Sequence, residues 1–151
     1  MIESLEGVPF GHVALYNFQS GGSACEFGRV LRGADMGPSG GMTLASRALL
    51  VWPTSELKVE RFFLQVFDNN DKAISLYERL GFTVMGTVAL RRNDSGGITR
   101  WEKFTEEPST GAFPDVHALR METTAEQVHA LARRQSVGFI RPEIDTRRMH
   151  E

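Results

Sequence analysis

Hydrophobic and polar residues alternate over much of the first third of the chain, a pattern that is typical of β-strands. Ile2 to Leu5 and Phe10 to Phe18 predict two strands that are joined at residues 6–9. A turn at residues 21–23 leads to a third predicted strand, Ala24 to Leu31, in which Glu26 and Cys25 face opposite sides. The chain is therefore expected to begin with three neighbouring strands.

Two later segments have the apolar spacing of helices. Met42 to Val51 predicts one helix, which Pro53 is expected to end. Asp71 to Leu80 predicts another, and Asn70 in front of it is a suitable N-cap. Between them, Val59 to Phe67 is a dense run of β-branched and aromatic residues that indicates a buried strand.

The remaining elements complete a mixed α/β sheet. Phe82 to Arg91 and Ile98 to Phe104 predict a hairpin across residues 93–97. We interpret residues 1–104 as a core and the polar residues 105–116, which include proline and glycine, as a linker. A tail over residues 117–151 contains a short predicted strand and a helix from about Thr124 to Gln135. The order of these elements predicts an α/β fold.

Composition narrows the class of protein. The 151 residues suffice for one domain, and a formal net charge of −2 without a basic block argues against a nucleic-acid partner. The longest apolar run, Ala48 to Trp52, is far shorter than the roughly 20 residues that span a bilayer. The N-terminus lacks the pattern of an export signal. These features predict a cytoplasmic protein with no membrane partner.

Residues with metal or thiol chemistry are few. Cys25 is the single cysteine, and the four histidines have no ligand spacing, so neither a disulfide nor a metal site is expected. His12 is interpreted as a strand-surface residue, and a role on the acceptor side stays open.

A glycine-rich loop lies between the third strand and the first helix. Residues 33–41 hold four glycines and Pro38, and the run Gly37-Pro38-Ser39-Gly40-Gly41 leads directly into Met42. Free amides at a helix N-terminus, next to glycines without side chains, form an anion site that suits a diphosphate. A plain surface loop is an equally good interpretation of this composition.

A longer motif favours the anion site over the plain loop. Residues 66–82 match the pattern N-x-x-A-x-x-L-Y-x-x-x-G-F at every specified position, with Asn70, Ala73, Leu76, Tyr77, Gly81 and Phe82. This motif resembles the GNAT superfamily of N-acetyltransferases. Within it, residues 40–45 and the opening residues 6–13 are similar to the ribosomal-protein alanine acetyltransferase branch. The resemblance covers about residues 1–104.

The resemblance implies a GNAT-type fold and a transfer of an acetyl group from acetyl-coenzyme A to an amine. The acceptor would be a small-molecule amine or a protein N-terminus. The cosubstrate would lie between two splayed strands, Ala24 to Leu31 and Arg61 to Phe67, where a backbone amide of the first polarises its thioester. The residues implied to bind it are Val30, Leu31, Gly37, Ser39, Gly40, Gly41, Met42, Thr43 and Asn70.

Two catalytic roles are carried over from the family. Tyr77 matches the proton donor to the departing thiolate, and Glu26 matches the carboxylate that takes the proton of the amine. Each has a structural alternative. Tyr77 could be an ordinary core tyrosine. Glu26 could lie in water or pair with Arg29 or Arg32. Asn70 could be only a helix cap. Cys25 is expected to face away from Glu26, and this argues against a covalent route through an acyl-cysteine.

The chain departs from the family pattern in two places. Gly37 stands where the family loop has a polar side chain, and Leu44 stands where the closest branch has glutamate. The first strand and first helices of the family would also precede Met1. An alternative function is therefore a degenerate GNAT module that binds a partner without catalysis.

The tail offers a replacement for the missing elements. Residues 117–134 are similar to the start of a GNAT domain, with a strand followed by a Thr-capped helix. We hypothesise that the tail covers the strand edge at Ile2 to Leu5 or Phe10 to Phe18, within one chain or between two chains of a swapped homodimer. The alternative is that the tail is the remnant of a following domain.

Overall fold

The computed structural model describes residues 1–33, 37–105 and 113–134. The strands are β1 (Ile2–Glu3), β2 (Pro9–Tyr16), β3 (Ala24–Arg32), β4 (Arg61–Phe67), β5 (Thr83–Ser95), β6 (Ile98–Lys103) and β7 (Val116–Thr124). The helices are α1 (Gly41–Glu56), α2 (Asp71–Arg79) and α3 (Ala125–Arg134). The strands form one seven-stranded sheet in the order β1-β2-β3-β4-β7-β5-β6. The predicted α/β class with a mixed sheet is confirmed.

Strand β7 lies in the middle of this sheet. It pairs antiparallel with β4, where Arg61 lies opposite Thr124 at one end and Phe67 lies opposite Ala118 at the other. It also pairs antiparallel with β5 on its other side. The tail therefore joins the sheet within one chain, as hypothesised, but it lies between β4 and β5 and does not cover the edge at Ile2 or Phe10. The reason is that β7 buries residues on both faces, Ala118 on one and Met121 on the other, as a central strand does.

Several predicted boundaries fall on residues that lie outside the described ranges. These are residues 34–36 of the glycine-rich loop, residues 106–112 of the predicted linker, and residues 135–151 of the tail, including the predicted helix end at Gln135. Val116, which was assigned to the linker, is the first residue of β7.

Helix α1 does not end at Pro53 but runs through it to Glu56. Proline removes one amide donor from a helix, which is a cost and not an absolute stop. Here the ring of Pro53 is fully buried, and the hydroxyl of Thr54 donates to the carbonyl of Val51 at 2.6 Å. Burial and this extra hydrogen bond offset the missing donor.

The predicted hairpin is present with a tighter turn than the sequence indicated. Strands β5 and β6 pair up to Ser95 opposite Ile98. The turn is therefore Gly96-Gly97, where both residues have positive φ angles of 61° and 76°. Two-residue hairpins favour this left-handed geometry, which glycine adopts without strain.

A single core joins the helices to one face of the sheet. Registers place Cys25 beside Phe62 and Leu64 beside Met121 on this face. Buried residues of all three helices join the same cluster, with Leu50, Leu76, Tyr77 and Val128 among them. The second face of the sheet carries Tyr16, Glu26 and Phe63, which are only partly buried.

Helix α3 is fixed to the end of β7 by reciprocal hydrogen bonds. The Gln127 amide donates to the Thr124 hydroxyl oxygen at 3.3 Å, and the Gln127 side-chain oxygen accepts from the Thr124 amide at 3.0 Å. This is a capping box, which satisfies two amides at a helix start. The Thr cap that the sequence predicted is therefore present.

Candidate active site

Strand β3 contains a bulge near its middle. His12 pairs with Leu31 but Ala14 pairs with Gly28, so that β3 has one residue more than β2 between these pairs. Arg29 in this bulge has a φ of 51°, which is uncommon for a residue other than glycine. The ring nitrogen Nδ1 of His12 donates to the Arg29 carbonyl at 3.0 Å. His12 thus stabilises the bulge.

Strands β3 and β4 separate just before the bulge. In their parallel pairing, Ala24 lies opposite Arg61, Cys25 opposite Phe62 and Glu26 opposite Phe63. In the described chain the pairing goes no further. Both strands nevertheless continue, to Arg32 and to Phe67. Backbone groups that face this gap are therefore free to bind a ligand that enters between the strands.

A cavity of about 810 Å³ lies at the open end of the gap, within the usual size range of small-molecule sites. Val30 and Arg32 of β3 contribute to one wall. The end of the glycine-rich loop and the first residues of α1 contribute to the same cavity, and α2 forms the opposite wall. Six of the nine predicted cosubstrate residues line the cavity: Val30, Gly40, Gly41, Met42, Thr43 and Asn70.

The other three predicted residues do not line the cavity. The bulge reverses the alternation of β3, so that Val30 faces the cavity and Leu31 is 66% exposed. Gly37 packs against the ring of Phe10, which leaves no room for the polar side chain that the family has there. Ser39 is exposed outside the cavity.

The start of α1 offers fewer free amides than the sequence indicated. Gly40 is the N-cap, with a φ of 78°. The Gly41 amide donates to the Pro38 carbonyl at 2.9 Å and is therefore occupied. Among the described residues, no backbone carbonyl accepts from the amides of Met42 and Thr43. These two amides are the ones that can bind an anion at this helix start.

Sequence reasoning missed three basic residues of the cavity, Arg32, Lys72 and Arg79. Lys72 and Arg79 are seven positions apart on α2 and so lie on one face of the helix. Helical spacing could therefore have revealed this pair. Asp71 is the one acidic residue among the described residues of the lining, so that this part of the lining carries a net positive charge.

Asn70 caps helix α2 as predicted, and it also borders two cavities. Its side-chain oxygen accepts from the Ala73 amide at 3.2 Å. It also lines the large cavity and a second cavity of about 330 Å³. The cap and a ligand contact are thus compatible in one residue.

Tyr77 lines the second cavity, together with Gln65, Phe67 and Trp101. Its side chain is 6% exposed, and its ring contacts Phe27 edge-on at 6.1 Å between centroids. Burial raises the pKa of the Tyr77 hydroxyl. The group is therefore protonated at neutral pH, as a proton donor must be.

Glu26 lies at the last paired position before β3 and β4 separate. Its carboxylate accepts from the Tyr16 hydroxyl at 3.0 Å and from the Asn17 side-chain amide at 2.8 Å. The Arg29 guanidinium lies over the Tyr16 ring, 5.0 Å from its centroid. In the described part of the chain neither Arg29 nor Arg32 forms an ion pair with Glu26.

Cys25 lies on the core face, opposite Glu26, as the alternation predicted. It is fully buried, and burial raises the pKa of its thiol to about 11. Across residues 1–33, 37–105 and 113–134, no three His, Cys, Asp or Glu residues group as a metal site would require. Within the same ranges, no helix has the length and apolar character needed to cross a membrane.

Several solved structures with a similar fold are spermidine N-acetyltransferases. A spermidine N-acetyltransferase from Vibrio cholerae, in complex with CoA and spermine, matches with a TM-score of 0.62 and 19% identity, over 84% of this chain and 64% of its own. A chimera of that enzyme with hSSAT matches with a TM-score of 0.62 and 18% identity, over 85% of this chain and 66% of its own. The fold is of the GNAT type.

The GNAT-type match is structural. The chain spans about two thirds of the length of these enzymes, between 64% and 66%. No family model matches the sequence, and no curated protein matches it either. The finer similarity to the ribosomal-protein alanine acetyltransferase branch stays a prediction.

Proposed function

We propose that the protein transfers an acetyl group from acetyl-coenzyme A to the amine of a small molecule. The observation that carries this proposal is the separation of β3 and β4 beyond Glu26–Phe63, with a large cavity at its open end and Tyr77 beside it. GNAT-type enzymes hold their cosubstrate in such a gap. The GNAT-type fold adds support, although the matched enzymes are less than 20% identical.

The large cavity suits coenzyme A in the charge of its described lining. The amides of Met42 and Thr43 would hold the diphosphate at the start of α1. Asn70 borders both cavities and would hydrogen-bond the pantetheine arm between them. The backbone beside the Arg29 bulge faces the gap and would polarise the thioester carbonyl.

Glu26 and Tyr77 would manage the two protons of the reaction. The amine attacks the thioester carbon, so that a C–N bond forms and the C–S bond breaks. Glu26 accepts the proton that the amine nitrogen loses, directly or through water. Tyr77 donates its hydroxyl proton to the departing thiolate and regains one from solvent. Burial keeps Tyr77 protonated for this step.

We favour a small-molecule acceptor over a protein N-terminus. The matched enzyme of Vibrio cholerae was solved with spermine, which is a small-molecule amine. The similarity to the ribosomal-protein branch favours a protein N-terminus and is the alternative. A cytoplasmic location and a homodimer remain part of this proposal as predictions.

A second candidate is a binding module without catalysis. The observation in its favour is Gly37, since the Phe10 ring occupies the space of the polar side chain in the family loop. A weakened phosphate loop would reduce the affinity for coenzyme A and leave the fold intact.

A ligand-dependent thermal shift, followed by an activity assay, tests the proposal. A ligand of the native state at about 100 times its Kd adds about 2.7 kcal/mol to stability, so coenzyme A and acetyl-coenzyme A should both raise the Tm. Thiol release should then depend on an added amine, with spermine and a short peptide as the two acceptors. Release should fall in Glu26→Gln, with the thermal shift unchanged.

The outcomes separate the two candidates. A thermal shift without amine-dependent thiol release would support the binding module. The absence of any shift with either form of coenzyme A would contradict both the cosubstrate and the acetyl transfer. Faster release with the peptide than with spermine would favour the protein acceptor.

A further inference from the structure

Strand β6 forms one edge of the sheet, and in the described part of the chain its outer side has no partner strand. All 6 of its residues are exposed, whereas the opposite edge, β1, is only 2 residues long. Trp101 in β6 is 40% exposed, and its ring lies against Phe67 at 5.2 Å between centroids. A sheet edge of this length offers a row of backbone donors and acceptors to another strand.

The backbone direction shows which residues of β6 face outward. The Phe104 amide donates to the Ala89 carbonyl at 2.8 Å and therefore points toward β5. The direction of the backbone groups alternates along a strand, so those of Lys103, Trp101 and Thr99 point away from β5. These three residues supply the donors and acceptors of the outer edge.

Two opposite charges flank Trp101 in this strand. Arg100 and Glu102 are both exposed, and neither forms an ion pair within the described residues. The side-chain amide of Asn93 donates to Glu102 Oε1 at 2.9 Å and holds the carboxylate on the hairpin. Arg100 and Glu102 are two positions apart and therefore lie on the same face of the strand.

The order of these charges is complementary to itself in one antiparallel register. A second copy that continues the sheet is related to the first by a two-fold axis perpendicular to the sheet, and this axis passes through one residue position of β6. With Trp101 on the axis, Arg100 lies opposite Glu102 of the partner subunit, and Thr99 lies opposite Lys103 of the partner subunit. A shift of the axis to Arg100 or Glu102 brings that residue opposite its own copy, and like charges directly opposite are destabilising.

We propose that β6 pairs antiparallel with β6 of a second copy, with Trp101 at the two-fold axis. The outward backbone groups of Thr99, Trp101 and Lys103 form the hydrogen bonds of this pairing. Arg100 and Glu102 then occupy the positions without backbone hydrogen bonds, where facing Cα atoms are only about 4.5 Å apart and side chains are close.

This pairing gives the homodimer of the proposed function a defined surface and register. Trp101 also lines the second cavity beside Tyr77. The pairing therefore brings the partner's Trp101 next to a residue of the candidate active site. The pairing itself requires neither coenzyme A nor acetyl transfer.

Sedimentation equilibrium of the ligand-free protein at a series of concentrations tests the proposal. The wild-type protein should form a dimer that dissociates on dilution. Arg100→Glu and Glu102→Arg should each raise the Kd of the dimer by about 10-fold or more, because the facing charges become alike at two positions. An equimolar mixture of the two variants should dimerise again, since every facing pair of a mixed dimer has opposite charges.

Two further variants separate edge pairing from general effects on charge and folding. Glu56→Arg reverses a charge at an exposed site of α1 and should leave the dimer unchanged. Lys103→Pro removes an amide that points away from β5, so it should weaken the dimer and keep the hairpin. Circular dichroism of each variant checks the fold.

Each outcome gives a decision. A protein that stays monomeric at all concentrations would overturn the inference and mean that the charges of β6 protect the edge from pairing. A dimer that survives both charge reversals, or single variants whose mixture does not recover, would overturn the proposed register. Acetyl transfer is assayed separately, so none of these results bears on the proposed function.

Discussion

The hydroxyl of Tyr16 donates a hydrogen bond to the carboxylate of Glu26 at a distance of 3.0 Å. The two residues are direct partners in the β2–β3 register, so that the sheet itself sets their separation. Gly28 is part of this arrangement, because a Cβ atom there would lie 2.8 Å from the Tyr16 hydroxyl oxygen. The proposed base is therefore held in place where β3 and β4 separate.

Stability should depend on the ionisation of Tyr16 at high pH. Burial, followed by the neighbouring Glu26, raises the pKa of Tyr16 from 10.0 to about 12. A raised pKa in the folded state means that the contribution to stability is fully present below about pH 10 and is lost as the pH rises toward 12. Urea unfolding from pH 9 upward should show this decline, and Tyr16→Phe should make it shallower.

The same ionisation can be observed directly. Tyr16 and Tyr77 are the 2 tyrosines of the chain, so absorbance of Tyr77→Phe reports tyrosinate formation at Tyr16 alone. Adding Glu26→Gln should lower the pKa of Tyr16, because the negative charge next to the hydroxyl is removed. An unchanged titration in the double variant would contradict the influence of Glu26.

Loss of the Tyr77 hydroxyl should affect turnover more than binding. If Tyr77 protonates the thiolate, Tyr77→Phe should lower kcat by roughly 10²-fold, within the usual range of acid–base catalysis. The ring contacts with Phe27 and Phe82 are retained in this variant, so the fold and the coenzyme A affinity should stay similar. Steady-state kinetics and calorimetry measure the two effects. A full-rate variant would assign the proton transfer to water or another group.

The central position of β7 should appear as a large effect of one side chain. Met121 is 0% exposed between β4 and β5, and Met121→Ala should destabilise the protein by about 2–5 kcal/mol. The neighbouring Arg120 has a side chain that is 54% exposed, and Arg120→Ala should change stability by less than about 0.5 kcal/mol. Chemical denaturation of both variants provides the comparison. Similar small effects would mean that β7 does not occupy the middle of the sheet.

Removal of one buried hydroxyl should stabilise the protein. Ser46 on α1 is 0% exposed, and its hydroxyl has no hydrogen-bond partner among the described residues. Ser46→Ala removes this unsatisfied group and favours the helix, so the free energy of unfolding should rise by about 1 kcal/mol. Ser55→Ala, at an exposed site of the same helix, is the control and should add only the smaller helix-propensity term. A loss of stability in Ser46→Ala would show that the hydroxyl is satisfied.

Local patterns in the sequence predicted the elements well. The capped helix behind Asn70 depends on neighbouring residues only, and the hairpin depends on its glycines, so both could be identified without a structure. The course of α1 through Pro53 could not, because it depends on burial of the ring against distant residues.

Non-local features of the site were harder to predict. The bulge places Arg29, which is not a glycine, at a positive φ angle, and it reverses the exposure of Val30 and Leu31. The place of β7 depends on which strands it pairs with, and local pattern does not encode the partner. Helical spacing predicts that Lys72 and Arg79 lie on one face of α2. Their place in the cavity lining could be seen only in the structure, because it depends on where α1 lies.

The insertion of β7 between β4 and β5 has a consequence for how the chain reaches its native state. Strands β4 and β5 are close in sequence, yet the strand that separates them is made about 20 residues after β5 ends, from Ser95 to Val116. Until β7 emerges from the ribosome, the inner edges of β4 and β5 have no native partner and are open to pairing with each other or with another chain. Any such premature pairing must break before β7 can enter, so closure of the sheet has to wait for β7, the last of the strands in the described part of the chain.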